Sequence, residues 1–309
     1  MTTSDEILAK EFSSHRAHLI GVAYRLTSTL TDAEDAVQEA WLRLSGLDQA
    51  RREDIQDLRG WLTTVVGRIC LDRLRSAVAR RERYVGPWLP EPIVTPFSTP
   101  SSDDPLETVV QNEQVRLAAL VVLDKLTPEQ RVAFVLHDAF SVPFGEIASV
   151  LGVTEATARQ HASRARRAVA DAEPPDLVDL SEQQAIIEKL LTAIATGDLD
   201  GVVAALHPDA VLIGDSDGKA RTVRRHMVGA DKITRFLRGL VGQYGIHRVQ
   251  LAELVLVNGE LGIAFPDLPA ADGYRALNRR VSAFTVREGK IWRIYDMCNP
   301  DKLTHVPER

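Results

Sequence analysis

The chain has 309 residues, of which 45% are hydrophobic and 26% are charged, and its net charge is −6. This length predicts two or three domains, and the composition is typical of a globular protein rather than a disordered one. The longest apolar run, Leu117–Leu123, is far shorter than the roughly 20 residues of a membrane span. The N-terminus has no secretory pattern, and neither Cys70 nor Cys298 lies in a CxxC pair. We therefore expect a cytoplasmic protein without disulfides, metal or cofactor.

Positive charge is concentrated in two short stretches, although the chain as a whole is acidic. Residues 58–90 carry 7 basic and 2 acidic side chains, whereas residues 1–57 carry 6 basic and 11 acidic ones. The second basic stretch is Arg159–Arg167. Because local basic surfaces decide phosphate binding, the acidic total does not exclude nucleic acid as a partner.

Prolines divide the chain into three parts. Residues 87–105 hold 6 of the 15 prolines, so they predict an extended connector rather than a helix or an inner strand. Pro174-Pro175 marks a second boundary. We predict domains at 1–86, 106–173 and 178–309, with the connector between the first two.

Helical periodicity fills the first two parts. Thr31 and Glu34 predict a capping box at the start of one helix, and Thr127-Pro128-Glu129-Gln130 predicts a second one. A buried stripe follows the second box from Val132 to Ala139. Both parts are therefore predicted to be all-α.

The strongest local signal is a helix-turn-helix over Phe144–Arg167. A short helix, the turn Gly152-Val153-Thr154 and a second capped helix have the layout of that motif. Arginine and glutamine read base edges in the major groove, and arginines near the helix end suit phosphates. The alternative is a three-helix bundle with a solvated basic face. The residues predicted to contact DNA here are Thr157, Arg159, Gln160, Arg164, Arg166 and Arg167.

Two other helical stretches carry charge of opposite sign. From the pattern alone, each one is more often a solvated face, and the acidic one could instead bind a basic partner helix. The basic residues are Arg68, Arg73, Arg75, Arg80 and Arg81, and the acidic and polar residues are Asp32, Glu34, Asp35, Gln38 and Glu39.

The pattern changes after residue 178. Helices over 182–196 and 199–206 precede several strand-like runs, and Asn258-Gly259 and Glu288-Gly289 predict hairpin turns. Helices followed by strands predict an α+β domain. The predicted strands cover 210–214, 249–257, 261–265, 281–287 and 291–297.

Taken together, these motifs resemble those of an extracytoplasmic-function (ECF) sigma factor. Asp32–Trp41 and Trp61–Arg75 are similar to sigma domain 2, and Leu126–Arg131 with the helix-turn-helix is similar to domain 4. The tail resembles a cone-shaped SnoaL-like domain of the NTF2-like superfamily, on Thr196–Asp198 and His207–Asp209. The SigJ-like subset of these sigma factors carries such a tail.

That subset also has three short motifs. Two are intact here, as Trp88-Leu-Pro-Glu-Pro92 and Asn299-Pro-Asp-Lys-Leu303, and an Asp-Gly-Gly-Gly-Lys motif is altered to Asp215-Ser-Asp-Gly-Lys219. Apolar linker residues need a surface on which to pack, so we predict a regulatory contact between linker and tail. Its predicted residues are Trp88, Leu89, Pro90, Glu91, Pro92, Asp215, Lys219, Asn299, Pro300, Asp301, Lys302 and Leu303.

The resemblance implies a role for each charged stretch. It implies that the acidic Asp32–Trp41 face binds the β′ coiled coil of RNA polymerase. It also implies that the basic helix Leu58–Arg83, with the preceding Gly46–Gln56 loop, recognises and melts the −10 element. It implies −35 recognition by Glu155–Arg167. The expected partners are core RNA polymerase, through its β′ coiled coil and β subunit, and promoter DNA, with a small molecule in the cone as a further candidate.

Two other functions are compatible with the sequence. One is a one-component DNA-binding regulator whose cone senses a small molecule, which would not need the acidic face. The other is an isomerase or cyclase that uses a pocket carboxylate, with Asp215, Asp217, His226 and Asp296 as candidates. Because fold alone does not confer activity, we expect a protein that is not an enzyme.

Overall fold

The computed structural model describes residues 4–81, 83–97, 116–172 and 178–306, without the side chains of 4–5 and 78–81. The predicted boundary at Pro174-Pro175, residues 98–105 of the predicted connector, and the side chains of Arg80 and Arg81 lie outside this description.

The described residues form two compact units. The helical unit holds residues 4–81 and 119–172, and the tail unit holds 83–97, 116–118 and 178–306.

The helical unit consists of helices packed in two groups. The first three long helices pack against one another, and the later helices surround the helix-turn-helix. The helices are α1 (Ser4–Thr27), α2 (Leu30–Ser45), α3 (Gln49–Glu53), α4 (Leu58–Arg81), α5 (Leu117–Leu123, whose start belongs to the tail unit), α6 (Pro128–Phe134), α7 (Phe144–Leu151) and α8 (Glu155–Ala170).

The two predicted capping boxes have different outcomes. At Thr127 both bonds are present, since its hydroxyl accepts from the Gln130 amide at 3.3 Å and its own amide donates to Gln130 Oε1 at 3.1 Å. The box at Thr31 is wrong, because α2 already begins at Leu30 with Thr29 as its N-cap. The Thr29 hydroxyl donates to the Asp32 carboxylate at 2.9 Å instead of capping a backbone amide.

The predicted stripe from Val132 to Ala139 is correct only in its first part. Val132, Val135 and Leu136 are buried, but Ala139 is exposed. A π-helical turn, Val135–Ala139, follows α6 and changes the angular spacing of successive side chains. A stripe extrapolated at 3.6 residues per turn therefore leaves the core before residue 139.

The helix-turn-helix forms as predicted. Gly152 ends α7 in the left-handed conformation with φ of 69°, and the Thr154 hydroxyl caps α8 by accepting from the Thr157 amide at 3.2 Å. The alanines at 158, 162 and 165 are fully buried. Their small side chains allow α8 to pack closely against α6 and α7.

The tail unit is built on a mixed sheet in the order β1-β4-β5-β6-β7-β2-β3. Neighbouring strands are antiparallel except β2 and β7, which are parallel. Both predicted hairpin turns form, with positive φ at Asn258-Gly259 and at Glu288-Gly289. The strands are β1 (Val94–Pro96), β2 (Leu206–Asp215), β3 (Met227–Val228), β4 (Glu253–Val257), β5 (Glu260–Phe265), β6 (Arg280–Arg287) and β7 (Lys290–Met297).

Three helices, α9 (Leu180–Thr196), α10 (Leu199–Ala205) and α11 (Ala230–Tyr244), contribute to one core with the sheet. The predicted α+β class is thereby confirmed for the tail. Helix α11 was not predicted from the sequence, and neither were the edge strands β1 and β3. Strand β1 comes from the proline-rich linker and lies at the sheet edge, where a proline does not interrupt a hydrogen-bonded ladder. Within the described ranges, no helix is long and apolar enough to cross a membrane.

Two glycines of the tail unit give a matched test of this packing. A Cβ atom on Gly262 would lie 2.7 Å from the Ser282 carbonyl oxygen, whereas one on Gly239 would meet nothing within 4 Å. Gly262→Ala should therefore destabilise the tail by about 1–3 kcal/mol through overpacking. Gly239→Ala should stabilise it by up to about 1 kcal/mol through helix propensity. Thermal unfolding of the full chain measures both, and equal effects would contradict the packing of β5 on β6.

Candidate functional site

The acidic residues of α2 lie beside an arginine of α4. The Arg73 guanidinium is 3.2 Å from Asp32, 3.4 Å from Asp35 and 3.9 Å from Glu39. Gln38 is exposed and Glu34 is half-buried on the same helix. The structure thus brings the predicted acidic face together, but it places Arg73 on that face rather than with the other basic residues of α4.

Leu42 extends this acidic face. It is 60% exposed, one turn beyond Gln38 and Glu39. The sequence reading did not single it out, although an exposed leucine beside a polar patch is a recognisable signal for a binding surface. The structure adds Leu42 to the predicted surface.

Two arginines predicted to contact DNA are engaged within the helical unit. Arg68 donates to the Ser149 carbonyl oxygen at 2.7 Å, and Arg75 pairs with Glu129 at 3.0 Å. Both acceptors belong to the second group of helices. Near them, Thr64 donates to Glu146 at 3.0 Å.

A buried arginine also joins the two groups of helices. Arg131 of α6 is 1% exposed, and its Nε and Nη2 atoms donate to the Arg25 carbonyl oxygen at 2.9 and 2.8 Å. The guanidinium also donates to the Ser28 hydroxyl and pairs with Asp124. A charge at this depth is stable only when its donors are satisfied. This contact therefore depends on the end of α1 and the start of α6 staying together.

The exposed face of α8 is partly occupied by its own neighbours. Arg159 pairs with Glu155, and Arg166 donates to Asp138 at 2.7 Å. The side chains of Gln160, Arg164 and Arg167 are exposed and make no hydrogen bond or ion pair within the described part of the chain. Thr157 is half-buried near the helix start. Gln160, Arg164 and Arg167 therefore share the face of α8 opposite the buried alanines and are available to a ligand, whereas Thr157 and Arg159 lie on the two flanks of that face.

The predicted contact between linker and tail converges on one buried carboxylate. Asp215, which is 0% exposed, accepts from the Leu89 amide at 2.7 Å and pairs with Lys302 Nζ at 2.7 Å. Tyr84 also donates its hydroxyl to Asp215, and Asn299 donates to that hydroxyl at 2.8 Å. We call these five residues the linker clamp. Residues 83–97 belong to the tail unit, so the linker is taken from here on as 83–97 and includes Tyr84 and Val85, which the predicted first domain, 1–86, contained.

Lys302 holds the linker through more than its charge. Its ammonium group donates to the Leu89 carbonyl oxygen and lies 3.9 Å from the centre of the Trp88 ring. Leu89, Pro90 and Pro92 are buried on the tail. Lys302 therefore contacts the linker by a hydrogen bond and a cation–π contact, in addition to its charge pair with Asp215 of the tail.

The remaining predicted residues surround the clamp. Lys219 pairs with Asp301 at the surface, and the buried Glu91 lies 3.7 Å from His305. Pro300 begins a short 3₁₀ turn, Pro300–Lys302, which Leu303 follows as a buried residue. The structure brings the predicted residues of all three motifs into the tail unit.

The altered Asp215–Lys219 loop is a tight turn. Asp217 and Gly218 both have positive φ, of 47° and 70°, and the Asp217 carboxylate accepts from the Val85 amide at 3.1 Å. Aspartate tolerates the left-handed region better than most residues, so the loss of glycines is compatible with this turn. The loop therefore contacts the linker by its side chains as well.

Burial changes the acid–base behaviour of two groups near the clamp. Burial, and then the charge of Asp215, raise the pKa of the Tyr84 hydroxyl well above its usual range. Burial raises the pKa of Cys298 to about 12. The phenol therefore stays a proton donor to Asp215 at neutral pH, and the thiol stays protonated and poorly nucleophilic.

Models of three known domain families match parts of the chain. Residues 12–80 match the model of sigma-70 region 2, residues 116–169 match sigma-70 region 4, and residues 187–294 match a SnoaL-like domain. The chain belongs to the ECF RNA polymerase sigma factors, which bind core RNA polymerase and direct it to promoters. The predicted fold class and function class are thereby confirmed.

Individual relatives share the whole architecture. The chain is 53% identical to the ECF RNA polymerase sigma factor SigJ of Mycobacterium tuberculosis over 96% of this chain and 93% of that protein. It is 36% identical to the probable sigma factor SigI of the same species, over 98% and 97%. The crystal structure of SigJ superposes with a TM-score of 0.82 at 50% identity, covering 97% of this chain and 100% of that one.

The linker clamp predicts an unequal response to the loss of two lysines. Lys302→Met leaves the buried Asp215 charge without its cation, which should destabilise the tail by about 3–5 kcal/mol. It should also open residues 84–97 to proteolysis. Lys219→Met removes an exposed pair and should change little. The measurements are thermal unfolding and limited proteolysis of the full chain.

A double variant separates charge burial from general damage. Adding Asp215→Asn to Lys302→Met removes the unpaired charge and should recover part of the lost stability. Equal sensitivity of the two lysine variants, or no recovery in the double variant, would contradict the clamp.

Proposed function

We propose that three surfaces of the helical unit contact core RNA polymerase and promoter DNA. The acidic face of α2, with Leu42, binds the β′ coiled coil of the polymerase, and the β subunit is a second polymerase partner. The basic residues of α4 contact the −10 element, and α8 contacts the −35 element. The observation that carries the proposal is the set of exposed, unengaged side chains at Gln160, Arg164 and Arg167 on a capped helix-turn-helix.

Arg73 has a different role in this proposal from the one predicted. Its guanidinium contacts three carboxylates of α2, so it positions the acidic face rather than binding a phosphate. Arg68 and Arg75, together with Arg80 and Arg81, stay candidates for the −10 contact.

The helical unit as described is a closed form. Arg68 donates to Ser149 and Arg75 pairs with Glu129, so a DNA phosphate would compete with these bonds. Polymerase binding would separate the two groups of helices, which would free these arginines and break the Arg131 contact. Promoter affinity would then depend on the polymerase, which presents two weakly binding surfaces at a set spacing.

The tail modulates this activity in cis through the linker clamp. The predicted connector between the two DNA-binding domains begins at residue 87. The clamp and strand β1 fix its residues as far as Pro96 on the tail. A connector held on the tail has a shorter free length, which limits the separations that the two domains can reach. Releasing the clamp would lengthen it.

A catalytic role for the tail carboxylates is not part of the proposal. Asp215 is occupied by the clamp, and Asp296 accepts from Thr222 at 2.6 Å, from Arg280 at 3.3 Å and from Ser282 at 3.3 Å. Fully engaged oxygens are poor bases. The relatives are sigma factors, and because transcription takes place in the cytoplasm we place this protein there.

Charge reversal on α2 tests the polymerase contact. Asp35→Lys with Glu39→Lys should reduce core polymerase binding at least tenfold, because like charges then face a basic partner. Glu53→Lys, an exposed site on α3, is the matched control and should bind normally. Pull-down with core enzyme and in vitro transcription measure the effect. Unchanged binding of the double variant would overturn the assignment of this face.

Transcription assays test modulation by the tail. Lys302→Met and a chain ending before residue 178 should each change initiation from a target promoter severalfold relative to the full chain, since both release the linker. Lys219→Met is expected to transcribe as the full chain does. Equal activity of all four proteins would rule out regulation through the clamp while leaving the sigma function intact.

A further inference from the structure

The first residues of α5 lie on the tail unit. Arg116, Leu117 and Ala118 belong to that unit, and Leu117 and Ala118 are 1% and 6% exposed. The Arg116 guanidinium is 3.6 Å from the carboxylate of Glu260, the first residue of β5. Arg116 is also the first residue of the segment that matches sigma-70 region 4. The tail therefore contacts the chain at the point where region 4 begins.

Glu260 depends on Arg116 for its charge balance. It is 7% exposed, its carboxylate accepts no hydrogen bond from the described residues, and Arg116 is its ion-pair partner. Thr285 lies on β6 two residues beyond the partner of Gly262, so its side chain shares one face of the sheet with Glu260. The Thr285 hydroxyl makes no hydrogen bond within the described part of the chain. A buried carboxylate in such surroundings is strongly destabilised when its cation leaves.

The hairpin that carries Glu260 also contacts the linker. Asn258, in the turn between β4 and β5, donates its amide to the Ile93 carbonyl oxygen at 2.8 Å, and its side-chain oxygen accepts from the Ile93 amide at 3.2 Å. Strand β1 then pairs with β4 as far as Pro96. Asn258 and Glu260 are separated by a single residue. One hairpin of the tail therefore contacts the chain on both sides of residues 98–115.

We propose that the ion pair between Arg116 and Glu260 is a second attachment, separate from the linker clamp, that keeps the start of region 4 on the tail. We call this pair the region 4 anchor. While the clamp and the anchor are both closed, the chain is fixed on the tail before and after residues 98–115. That stretch then does not add to the separation that the two DNA-binding domains reach. This consequence rests on the proposed modulation in cis, whereas the anchor itself does not.

The anchor is measured on the full chain without polymerase. Spin labels at Lys125→Cys in region 4 and Lys232→Cys in the tail, both exposed positions, report the separation of the two sites by double electron–electron resonance. Cys70 and Cys298 are buried, so the label reacts at the introduced positions. The quantity compared between variants is the population of separations outside the range of the labelled parent.

Three variants assign the effect to the ion pair. Glu260→Gln keeps the shape of the side chain and removes its charge, and it should raise that population about fivefold, the equivalent of about 1 kcal/mol. Arg116→Met leaves the buried carboxylate without its cation and should raise it further. Asp272→Asn removes an exposed carboxylate of the tail at a position whose positive φ asparagine also tolerates, and this control should match the parent.

Unchanged separations in Glu260→Gln would overturn the anchor, and so would an equal change in Asp272→Asn. If Arg116→Met does not fold, Glu260→Gln still decides the question, because it leaves no buried charge unpaired. Adding Arg116→Met to Lys302→Met should broaden the distribution beyond either single variant, since the clamp and the anchor then open together.

The same variants separate the anchor from the proposed function. Because no polymerase or promoter is present, unchanged separations would reject the anchor and leave the proposed sigma roles standing. Altered separations in Glu260→Gln, together with parental transcription from a target promoter, would support the anchor and reject modulation through the connector.

Discussion

A buried carboxylate cannot be left without partners, and this constraint fixes the tail unit. Asp215 has no exposed surface, so its charge must be matched by donors within reach. Lys302 comes from the tail, whereas the Leu89 amide and the Tyr84 hydroxyl come from the linker. Neither source alone satisfies the carboxylate. The linker and the tail are therefore a single folded object, and strand β1 extends that object to Pro96.

In the helical unit the buried charge that needs partners is a cation, Arg131. Arg131 is buried, and its acceptors lie at the end of α1 and before α6, on both sides of the contact between the two groups of helices. Surface pairs such as Arg75–Glu129 add little stability by themselves. These pairs occupy side chains that we propose for the −10 contact, so DNA would compete with them for the same arginines.

Local sequence signals were reliable where the deciding interaction is local. The Thr127 box and the Thr154 cap each depend on residues three positions apart, and both were predicted correctly. Helix α11 has an apolar stripe from Ile233 to Tyr244, but the sequence analysis predicted only strands after residue 206 and so missed this helix. Arg73 could not be placed from sequence, because its carboxylate partners lie 34 to 41 positions away and a basic run offers no reason to separate it from its neighbours. The contact between linker and tail was predicted from the motifs of the resembling family. The separation of Asp215 and Leu89 in sequence gives no reason to expect that they meet.

Strand β2 connects two features that are otherwise unrelated. Leu212 lines an apolar cavity between the sheet and helices α9 and α11, and Asp215, three residues later on the same strand, anchors the linker. An extended chain rises about 3.3 Å per residue, so the two points are about 10 Å apart. Because β2 is hydrogen-bonded to β7 along this length, the spacing between these two points is fixed. Any movement of Leu212 along the strand axis would have to carry the linker's anchor with it or break the hydrogen bonds to β7.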